Sequence, residues 1–379
     1  MLNIEPIGDC IPIRSARAAI VVALRALELP SDACIGVPLY CCPVVFKAIK
    51  AVGCNVRFID VEPDTFCMSV ADLEAKIAQI DAVVAVHMFG NVCDMQRIKV
   101  VAQGKPIIED CAQSIGSAIN GQMTGSFGDI AVFSFRSGKY LSVGEGGALY
   151  AKDDKILSSI SQLVSELPVP GRMDDCMHVI KTYIRSILRS KPLWGLIGCR
   201  LWSAYNKSTA FAEKTPIAMT QMFRSDIAIT SDRLAALNGL IEKQRGNADY
   251  FSESLALAFC KVPDEKTGAF YNRYLYPVML SEAHDREAIV AYLLERKIGT
   301  IQPYKDIAEI AAAHYDYAGD CPMAEQVARR VLVFPCYHAL KKEELQKIAQ
   351  SVTQALQLTG PAAGSNELFM REAMDDPAQ

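Results

Sequence analysis

The chain places a lysine, a carboxylate and an amide side chain at or just beyond the ends of two predicted strands. Lys139 follows the strand that ends at residue 135, on a turn of small residues. Asp110 ends an earlier predicted strand, and Gln113 comes three residues after it. A lysine amine can hold an aldehyde as a Schiff base, and a carboxylate can keep a pyridine nitrogen protonated so that the ring accepts electrons. These residue types predict chemistry with pyridoxal phosphate.

An alternation of strands and helices in the first 150 residues must position these groups. Strands are predicted at 35–38, 56–60, 82–86, 107–110, 130–135 and 147–150, and helices at 18–26, 43–52, 69–79 and 94–102. Strands that are apolar on both faces and separated by helices indicate an α/β fold with a mainly parallel sheet. Ligands of such sheets bind at the carboxyl ends of the strands. Four polar residues are expected there: Asp60, His87, Asp110 and Ser134.

The rest of the chain predicts a helical segment and then a second, smaller domain. Residues 155–250 have a mainly helical pattern. Further on, strands are predicted at 274–280 and 331–334, and helices at 286–297 and 341–358. We therefore predict a large domain over residues 1–250 and a small α+β C-terminal domain over residues 251–359. The polar residues 360–379 are expected to form a mobile tail.

An amphipathic pattern at residues 180–191 leaves two interpretations open. Five apolar side chains share one helical face: Ile180, Tyr183, Ile184, Ile187 and Leu188. Three basic side chains share another face: Lys181, Arg185 and Arg189. Such a helix can lie on an anionic membrane surface, or it can pack on its own domain with a solvated basic face. We favour the packed helix.

Composition limits the class of protein and its partners. The 379 residues are 51% apolar and 22% charged, which is typical of a compact chain with a large core. A net charge of −4 gives no general nucleic-acid footprint. The chain has no apolar run of the roughly 18 residues that a spanning helix needs, and no secretory signal pattern. The thirteen cysteines contain no C-x-x-C pair, so we expect reduced thiols, no metal site and a cytoplasmic location.

Four motifs in order resemble the DegT/DnrJ/StrS aminotransferases. They lie at residues 109–113, at 125–129, at 133–135 together with Lys139, and at 144–147. The resemblance extends from about residue 14 to residue 352. It implies a fold type I pyridoxal-phosphate-dependent transferase. The expected reaction transfers an amino group from an amino acid, with glutamate as the donor, to a keto-sugar nucleotide in a homodimer.

The resemblance implies roles for three residues around the cofactor ring. Lys139 would form the internal aldimine and, once freed by the amino donor, would move a proton between the donor and the cofactor. Asp110 would pair with the pyridinium nitrogen; its alternative role is to cap a turn. Gln113 would lie against the ring, unless it is a solvated turn residue.

The resemblance also implies a phosphate site at the start of a helix. Ser15, Ala16 and Arg17 precede the predicted helix 18–26 and stand in the place of the family's Ser-Gly-Thr loop. Arg17 would bind phosphate or point to solvent. Ser134 is the second phosphate candidate.

Other positions depart from the family pattern. The family's aromatic ring over the cofactor falls in the loop 38–42, where Tyr40 would stack or Cys42 would replace the ring. Arg136 stands where a histidine is common, and would bind substrate anions or be exposed. The family's asparagine from the neighbouring subunit has no clear counterpart in residues 221–224. His87 is interpreted as structural rather than catalytic.

Two other functions remain open beside the aminotransferase. A related dehydratase or synthase would share Lys139 and Asp110 but release water instead of exchanging amines. A cofactor-binding regulatory protein without turnover would fit the altered phosphate loop and the missing aromatic ring. The lysine at position 139 argues against the iron–sulfur dehydratases among the relatives, because those replace the lysine with histidine.

Overall fold

The computed structural model describes residues 1–188, 216–255, 260–263 and 265–359. The tail at 360–379 and the end of the predicted helix 180–191 lie outside these ranges. The strands of the described ranges, in chain order, are β1 (Leu2–Ile4), β2 (Gly8–Ile13), β3 (Cys34–Pro38), β4 (Asn55–Ile59), β5 (Ala82–Val86), β6 (Ile107–Asp110), β7 (Ala118–Ile119), β8 (Gln122–Met123), β9 (Ile130–Ser134), β10 (Gly147–Ala151), β11 (Cys260–Lys261), β12 (Ala269–Phe270), β13 (Tyr276–Leu280) and β14 (Val331–Phe334).

Helices fill most of the connections between these strands, and short 3-10 turns lie at Ile77–Gln79 and Met88–Gly90. The helices of the described ranges are α1 (Ala16–Ala26), α2 (Val44–Ala51), α3 (Val70–Lys76), α4 (Met95–Ala102), α5 (Asp154–Ser165), α6 (Arg172–Leu188), α7 (Arg224–Leu234), α8 (Leu237–Ser254), α9 (Arg286–Glu295), α10 (Ile307–His314), α11 (Pro322–Arg330) and α12 (Lys342–Thr359). In the described residues, no helix combines the length and the apolar character that crossing a bilayer requires.

The central sheet has eight strands in the order β1-β2-β10-β9-β6-β5-β3-β4. Strands β4, β3, β5, β6 and β9 run parallel, whereas β10, β2 and β1 pair antiparallel at one side. All five residues of β5 are buried, because the strand is apolar on both faces and helices cover the sheet. The predicted α/β fold with a mainly parallel sheet is confirmed.

The parallel strands bring several loops to one edge of the sheet. The loops that follow β3, β6 and β9 begin after Pro38, Asp110 and Ser134. Because β3, β5, β6 and β9 point the same way, their carboxyl ends share this edge. The candidate site residues on these loops are therefore brought close together by topology.

Two smaller sheets complete the described fold. One has the order β11-β13-β14 and the other the order β12-β7-β8. Helices α8, α9 and α12 cover the first of these and form a core of their own around Phe251 and Tyr276. Helices α10 and α11 instead contribute to the core of the central sheet. The predicted division into domains at residue 250 stays a prediction.

Helix α6 differs from the packed amphipathic helix that was expected. The apolar side chains at positions 180, 183, 184, 187 and 188 are all exposed, so the expectation that this face packs on the protein is wrong. The helix meets the protein through a different stripe, with His178 buried and Asp175 and Thr182 half-buried. Polar contacts rather than apolar burial decide which side of α6 faces inward.

Candidate active site

Lys139 lies on the tight turn that follows β9. Gly138 takes a φ of +94°, which glycine adopts without steric cost. The backbone N–H of Lys139 donates to the carbonyl of Arg136 (3.0 Å), and the hydroxyl of Tyr274 donates to the carbonyl of Gly138 (2.8 Å). The turn is therefore held both by its own backbone and by a side chain from a distant part of the chain.

The amine of Lys139 has an environment that favours its neutral form. Its Nζ lies 4.8 Å from the centre of the Tyr274 ring. Burial, with a further contribution from the charge of Arg136, lowers the pKa of Lys139 to about 8, while Asp110 and Cys42 act in the opposite direction. Near neutral pH, the unprotonated fraction of this amine is larger than that of an exposed lysine. A nucleophilic amine must be unprotonated.

Asp110 ends β6 as a buried carboxylate. Its Oδ1 accepts a hydrogen bond from the N–H of Ala112 (2.9 Å), so it does cap a turn. Burial raises the pKa of Asp110, against the effects of the Ala112 N–H and the Lys139 charge. Within the described ranges no cation lies within ion-pair distance of it, although buried carboxylates are usually paired. A cationic ring nitrogen would supply that partner, so this residue fits the predicted cofactor.

Gln113 is also buried at this edge. Its Oε1 accepts a hydrogen bond from the N–H of Phe89 (3.1 Å), and its Nε2 lies 3.4 Å from the hydroxyl of Tyr304. Burial raises the pKa of the Tyr304 hydroxyl, with smaller contributions from Cys42 and Tyr274. Gln113 is therefore a fixed buried side chain and not a solvated turn residue.

The loop after β3 holds the two candidates for the missing aromatic ring. Tyr40 is fully buried, and its ring meets those of Phe89 and Tyr304 edge to face at 6.1 and 5.5 Å. Cys42 is half-buried and lies on the same loop. The ring of Tyr40 packs against two other aromatic rings, which leaves Cys42 as the less enclosed of the two side chains. A role beside the cofactor stays a prediction for both residues.

The phosphate candidates at the start of α1 need one correction. Helix α1 begins at Ala16, not at position 18, so Ala16 and Arg17 belong to its first turn. Ser15 is the N-cap, and its Oγ accepts a hydrogen bond from the N–H of Ala18 (3.3 Å). The earliest N–H groups of a helix have no intrahelical partner and point out of its N-terminus. The N–H groups of the first turn of α1 therefore begin directly after Ser15, where an anion could accept from them.

Gly147 lets this helix end approach Ser134. Ser134 and Gly147 pair directly across β9 and β10. A Cβ on Gly147 would lie 2.6 Å from the backbone nitrogen of Ala16 and 2.8 Å from the carbonyl oxygen of Phe133. Only a residue without a side chain fits between these backbone atoms. The helix N-terminus and Ser134 thus form a cradle of N–H and hydroxyl donors that suits a phosphate.

Glu109 was part of a motif, but the sequence did not reveal its function. It is fully buried. Four donors point at its two carboxylate oxygens: Nε2 of His87 (3.0 Å) and the backbone N–H groups of Gly125 (2.8 Å), Phe127 (2.6 Å) and Gly128 (2.6 Å). Nδ1 of His87 accepts from the N–H of Cys93 (3.1 Å), so Nε2 carries the proton. Glu109 therefore joins two motifs, and these contacts support the structural interpretation of His87.

Asp60, which was expected at the ligand edge, caps a helix in the structure. Its two carboxylate oxygens accept hydrogen bonds from the N–H groups of Met323 (3.0 Å) and Ala324 (2.7 Å). These N–H groups belong to the first turn of α11, so Asp60 caps a helix far away in sequence. Asp60 directly follows β4, and both of its oxygens take part in this cap. A role of Asp60 toward a ligand stays a prediction.

Tyr274 and Tyr304 are site residues that the sequence analysis missed. Tyr274 stood inside a predicted strand, yet it precedes β13 and contacts Lys139. Tyr304 takes a φ of +54°, which is rare for an aromatic residue and marks a strained backbone. No periodic pattern could have revealed either residue, since both reach the site from the C-terminal third of the chain.

A cavity of about 390 Å³ opens beside Lys139. It is lined by the lysine turn on one side and by residues 333–338 on the other, with Tyr274 between them. Arg136, three residues before Lys139, is exposed. A small molecule in this cavity would lie beside Lys139.

Comparisons with known proteins agree with this geometry. The sequence profile of the DegT/DnrJ/EryC1/StrS aminotransferase family matches residues 7–183 and 196–353. The UDP-N-acetyl-3-dehydro-α-D-glucosamine 3-aminotransferase of Acidithiobacillus ferrooxidans is 28% identical over 355 residues, covering 90% of this chain and 83% of that protein. GDP-perosamine synthase of Escherichia coli O157:H7 is 25% identical over 346 residues, covering 90% and 84%.

A solved structure shares the fold. The PLP form of the Spr1654 protein of Streptococcus pneumoniae superposes with a TM-score of 0.73 at 20% identity, covering 91% of this chain and 86% of that one. The predicted family, fold type, enzyme class and cofactor are confirmed. With the family profile matching nearly the whole described chain, the protein belongs to the DegT/DnrJ/EryC1/StrS family of pyridoxal-phosphate-dependent aminotransferases.

Proposed function

We propose that this enzyme transfers the amino group of glutamate to the ketone of a sugar nucleotide, with Lys139 as the residue that holds the cofactor covalently. The observation that carries the proposal is the meeting of three strand ends at one edge of the sheet. Lys139 and Cys42 lie on the loops after β9 and β3, and Asp110 is the last residue of β6. The parallel pairing of these strands through β5 brings the three positions to the same edge.

The side chains around the cofactor would have different functions. Bound pyridoxal phosphate supplies an electron sink for the carbon that exchanges its amine. Asp110 would keep the ring nitrogen charged, because a buried carboxylate stabilises a cation strongly. Lys139, whose pKa is lowered to about 8, would take up and return a proton at the reacting carbon. Ser15 and Ser134 would hold the phosphate with the first turn of α1.

The substrate class is supported by the named relatives. One relative is named for an amination at a UDP-linked sugar and another for the synthesis of a GDP-linked amino sugar. Each of these likenesses covers 90% of this chain and more than four fifths of the relative. We therefore propose a keto-sugar nucleotide as the acceptor.

We also propose a homodimer that works in the cytoplasm. The cysteines of the described residues are free thiols, which supports a reducing compartment. The resemblance to homodimeric family members supports the dimer. Sedimentation or light scattering of the purified enzyme tests it, and a monomer that retains full activity would refute it.

Borohydride reduction of the purified holoenzyme tests the covalent residue. Peptide mapping should find the cofactor label on the peptide that contains Lys139. Lys139→Ala should abolish the label, whereas Lys99→Ala, at an exposed position on α4, should leave it unchanged. A label on any other lysine would refute the assignment.

Nitrogen-labelled glutamate and a panel of UDP- and GDP-linked keto-sugars test the reaction. The expected product is an amino sugar that carries the label. Loss of water without transfer of nitrogen would instead favour the dehydratase or synthase. Failure to exchange an amine with any amino acid would favour a regulatory protein without turnover.

A further inference from the structure

Helix α6 carries an apolar stripe that no described part of the protein covers. Its members recur at three and four residues, so they lie on one side of the helix. Their exposed fractions range from 42% to 77%: Met173, Met177, Ile180, Ile184, Ile187 and Leu188. Tyr183 beside them is also exposed. Soluble proteins usually expose such side chains singly, so a continuous row marks a surface that binds a partner.

Polar contacts on the opposite side hold α6 in this orientation. His178 is buried, with its Nε2 2.8 Å from Oδ2 of Asp226. Its ring stacks on that of Phe223, with 4.1 Å between the centroids. The hydroxyl of Ser225 hydrogen-bonds the carboxylate of Asp175. These contacts fix the helix with its apolar stripe outward.

Cations flank the stripe toward its C-terminal end. Lys181 and Arg185 are one turn apart and both exposed. The acidic residues of α6, Asp174 and Asp175, are confined to the first turn, where each accepts a hydrogen bond within the protein. The sequence after α6 is also basic and apolar. Residues 189–207 contain four basic residues, no acidic residue and both tryptophans of the chain.

We propose that α6 is a docking site for an anionic lipid surface. The helix would lie in the plane of the membrane, with its apolar stripe at the boundary between headgroups and acyl chains. Lys181 and Arg185 would contact lipid phosphates at the edge of the stripe. The site consists of the described residues of α6 alone, and it does not depend on the proposed reaction.

The chemistry of the surface favours lipid over a second protein. Protein interfaces are depleted of lysine and other charges at their cores, whereas helices at membrane surfaces combine an apolar face with lysine and arginine, and with aromatic side chains at the headgroup level. The whole chain has a net charge of −4, so attraction to an anionic surface must come from a local cationic patch. Lys181 and Arg185 beside the stripe supply it.

Vesicle co-sedimentation of the full-length holoenzyme tests the proposal. The protein should bind phosphatidylcholine vesicles only when they contain phosphatidylglycerol, and added salt should weaken the binding. The double variant Ile180→Ser with Ile184→Ser should bind roughly tenfold more weakly or worse, because it removes apolar contacts. The double variant Lys181→Gln with Arg185→Gln should weaken vesicle binding by a similar factor, because it removes two positive charges.

A matched double variant on α4 is the control. Lys99→Gln with Val100→Ser removes one exposed cation and one exposed apolar side chain elsewhere, and vesicle binding should not change. The proposal is overturned if the wild-type enzyme ignores anionic vesicles, or if the α6 variants bind as tightly as the control. It is also overturned if the isoleucine variant changes the number of subunits, because the stripe would then be a contact between copies.

Discussion

Replacing Glu109 with glutamine should strongly destabilise the protein. Each carboxylate oxygen of Glu109 accepts two hydrogen bonds, from His87 and Gly125 at Oε2 and from Phe127 and Gly128 at Oε1. Whichever way the amide of Gln turns, its NH₂ group replaces one oxygen and faces two donors. A buried donor without a partner costs about 1–3 kcal/mol, so two of them predict a loss of about 4 kcal/mol.

Urea unfolding of the cofactor-free protein, followed by circular dichroism, measures this loss. The control is Glu282→Gln, which changes an exposed carboxylate 3.6 Å from Arg330. That substitution should alter the free energy of unfolding by no more than about 0.5 kcal/mol. A loss below about 1 kcal/mol for Glu109→Gln would refute the argument from unpaired donors.

The pH dependence supplies a second check on Glu109. Burial alone would raise its pKa, but the hydrogen bonds from His87 and from the backbone of Gly125 and Gly128 hold it below the usual range. A carboxylate with a lowered folded pKa stabilises the protein above its unfolded pKa of roughly 4.3 and loses this effect as the pH falls. The stability difference between the wild type and Glu109→Gln should therefore narrow below that pH.

Three further predictions follow from the contacts at the site. Gly147→Ala should lower the free energy of unfolding by about 1–3 kcal/mol and weaken cofactor retention. Gly239→Ala, in open space on α8, should raise the free energy of unfolding by about 0.5 kcal/mol. Equal melting temperatures for the two variants would contradict the close approach at Gly147. In the cofactor-free protein, the rate at which an amine reagent labels Lys139 should rise with pH, with its midpoint at a pH of about 8. Arg136→Gln should move this midpoint to a higher pH, because the charge of Arg136 lowers the pKa of Lys139. Mass spectrometry measures the labelling, and a shift to a lower pH would contradict the prediction. Asp60→Ala should lower the free energy of unfolding by about 1 kcal/mol and leave the absorbance of the bound cofactor unchanged. Loss of that absorbance would show that Asp60 contributes to cofactor binding.

Local patterns in the sequence were sufficient to predict the sheet and to propose its central chemical groups. The apolar run at 82–86 is buried on both faces, so its composition alone identified it as an interior strand. Lys139 and Asp110 follow or end such strands, and parallel topology brings strand ends to one edge. Their meeting could therefore be predicted without coordinates.

Helix ends and caps were less predictable, because they depend on single hydrogen bonds. The start of α1 was placed two residues late, since the N-cap function of Ser15 rests on one contact to Ala18. The capping function of Asp60 depends on a helix more than 260 residues away in sequence. A pattern within a short window contains no information about such a partner.

The fold class and the family could be predicted from the chain alone, and so could the proposal that Lys139 and Asp110 serve the cofactor, because strand periodicity and motif order are local properties. Long-range packing was needed to show that Glu109 accepts from four donors, that Tyr274 and Tyr304 reach the site, and that the apolar stripe of α6 faces outward. Each of these depends on which distant surfaces pack together. That choice is made by the free energy of the whole fold and not by any one segment.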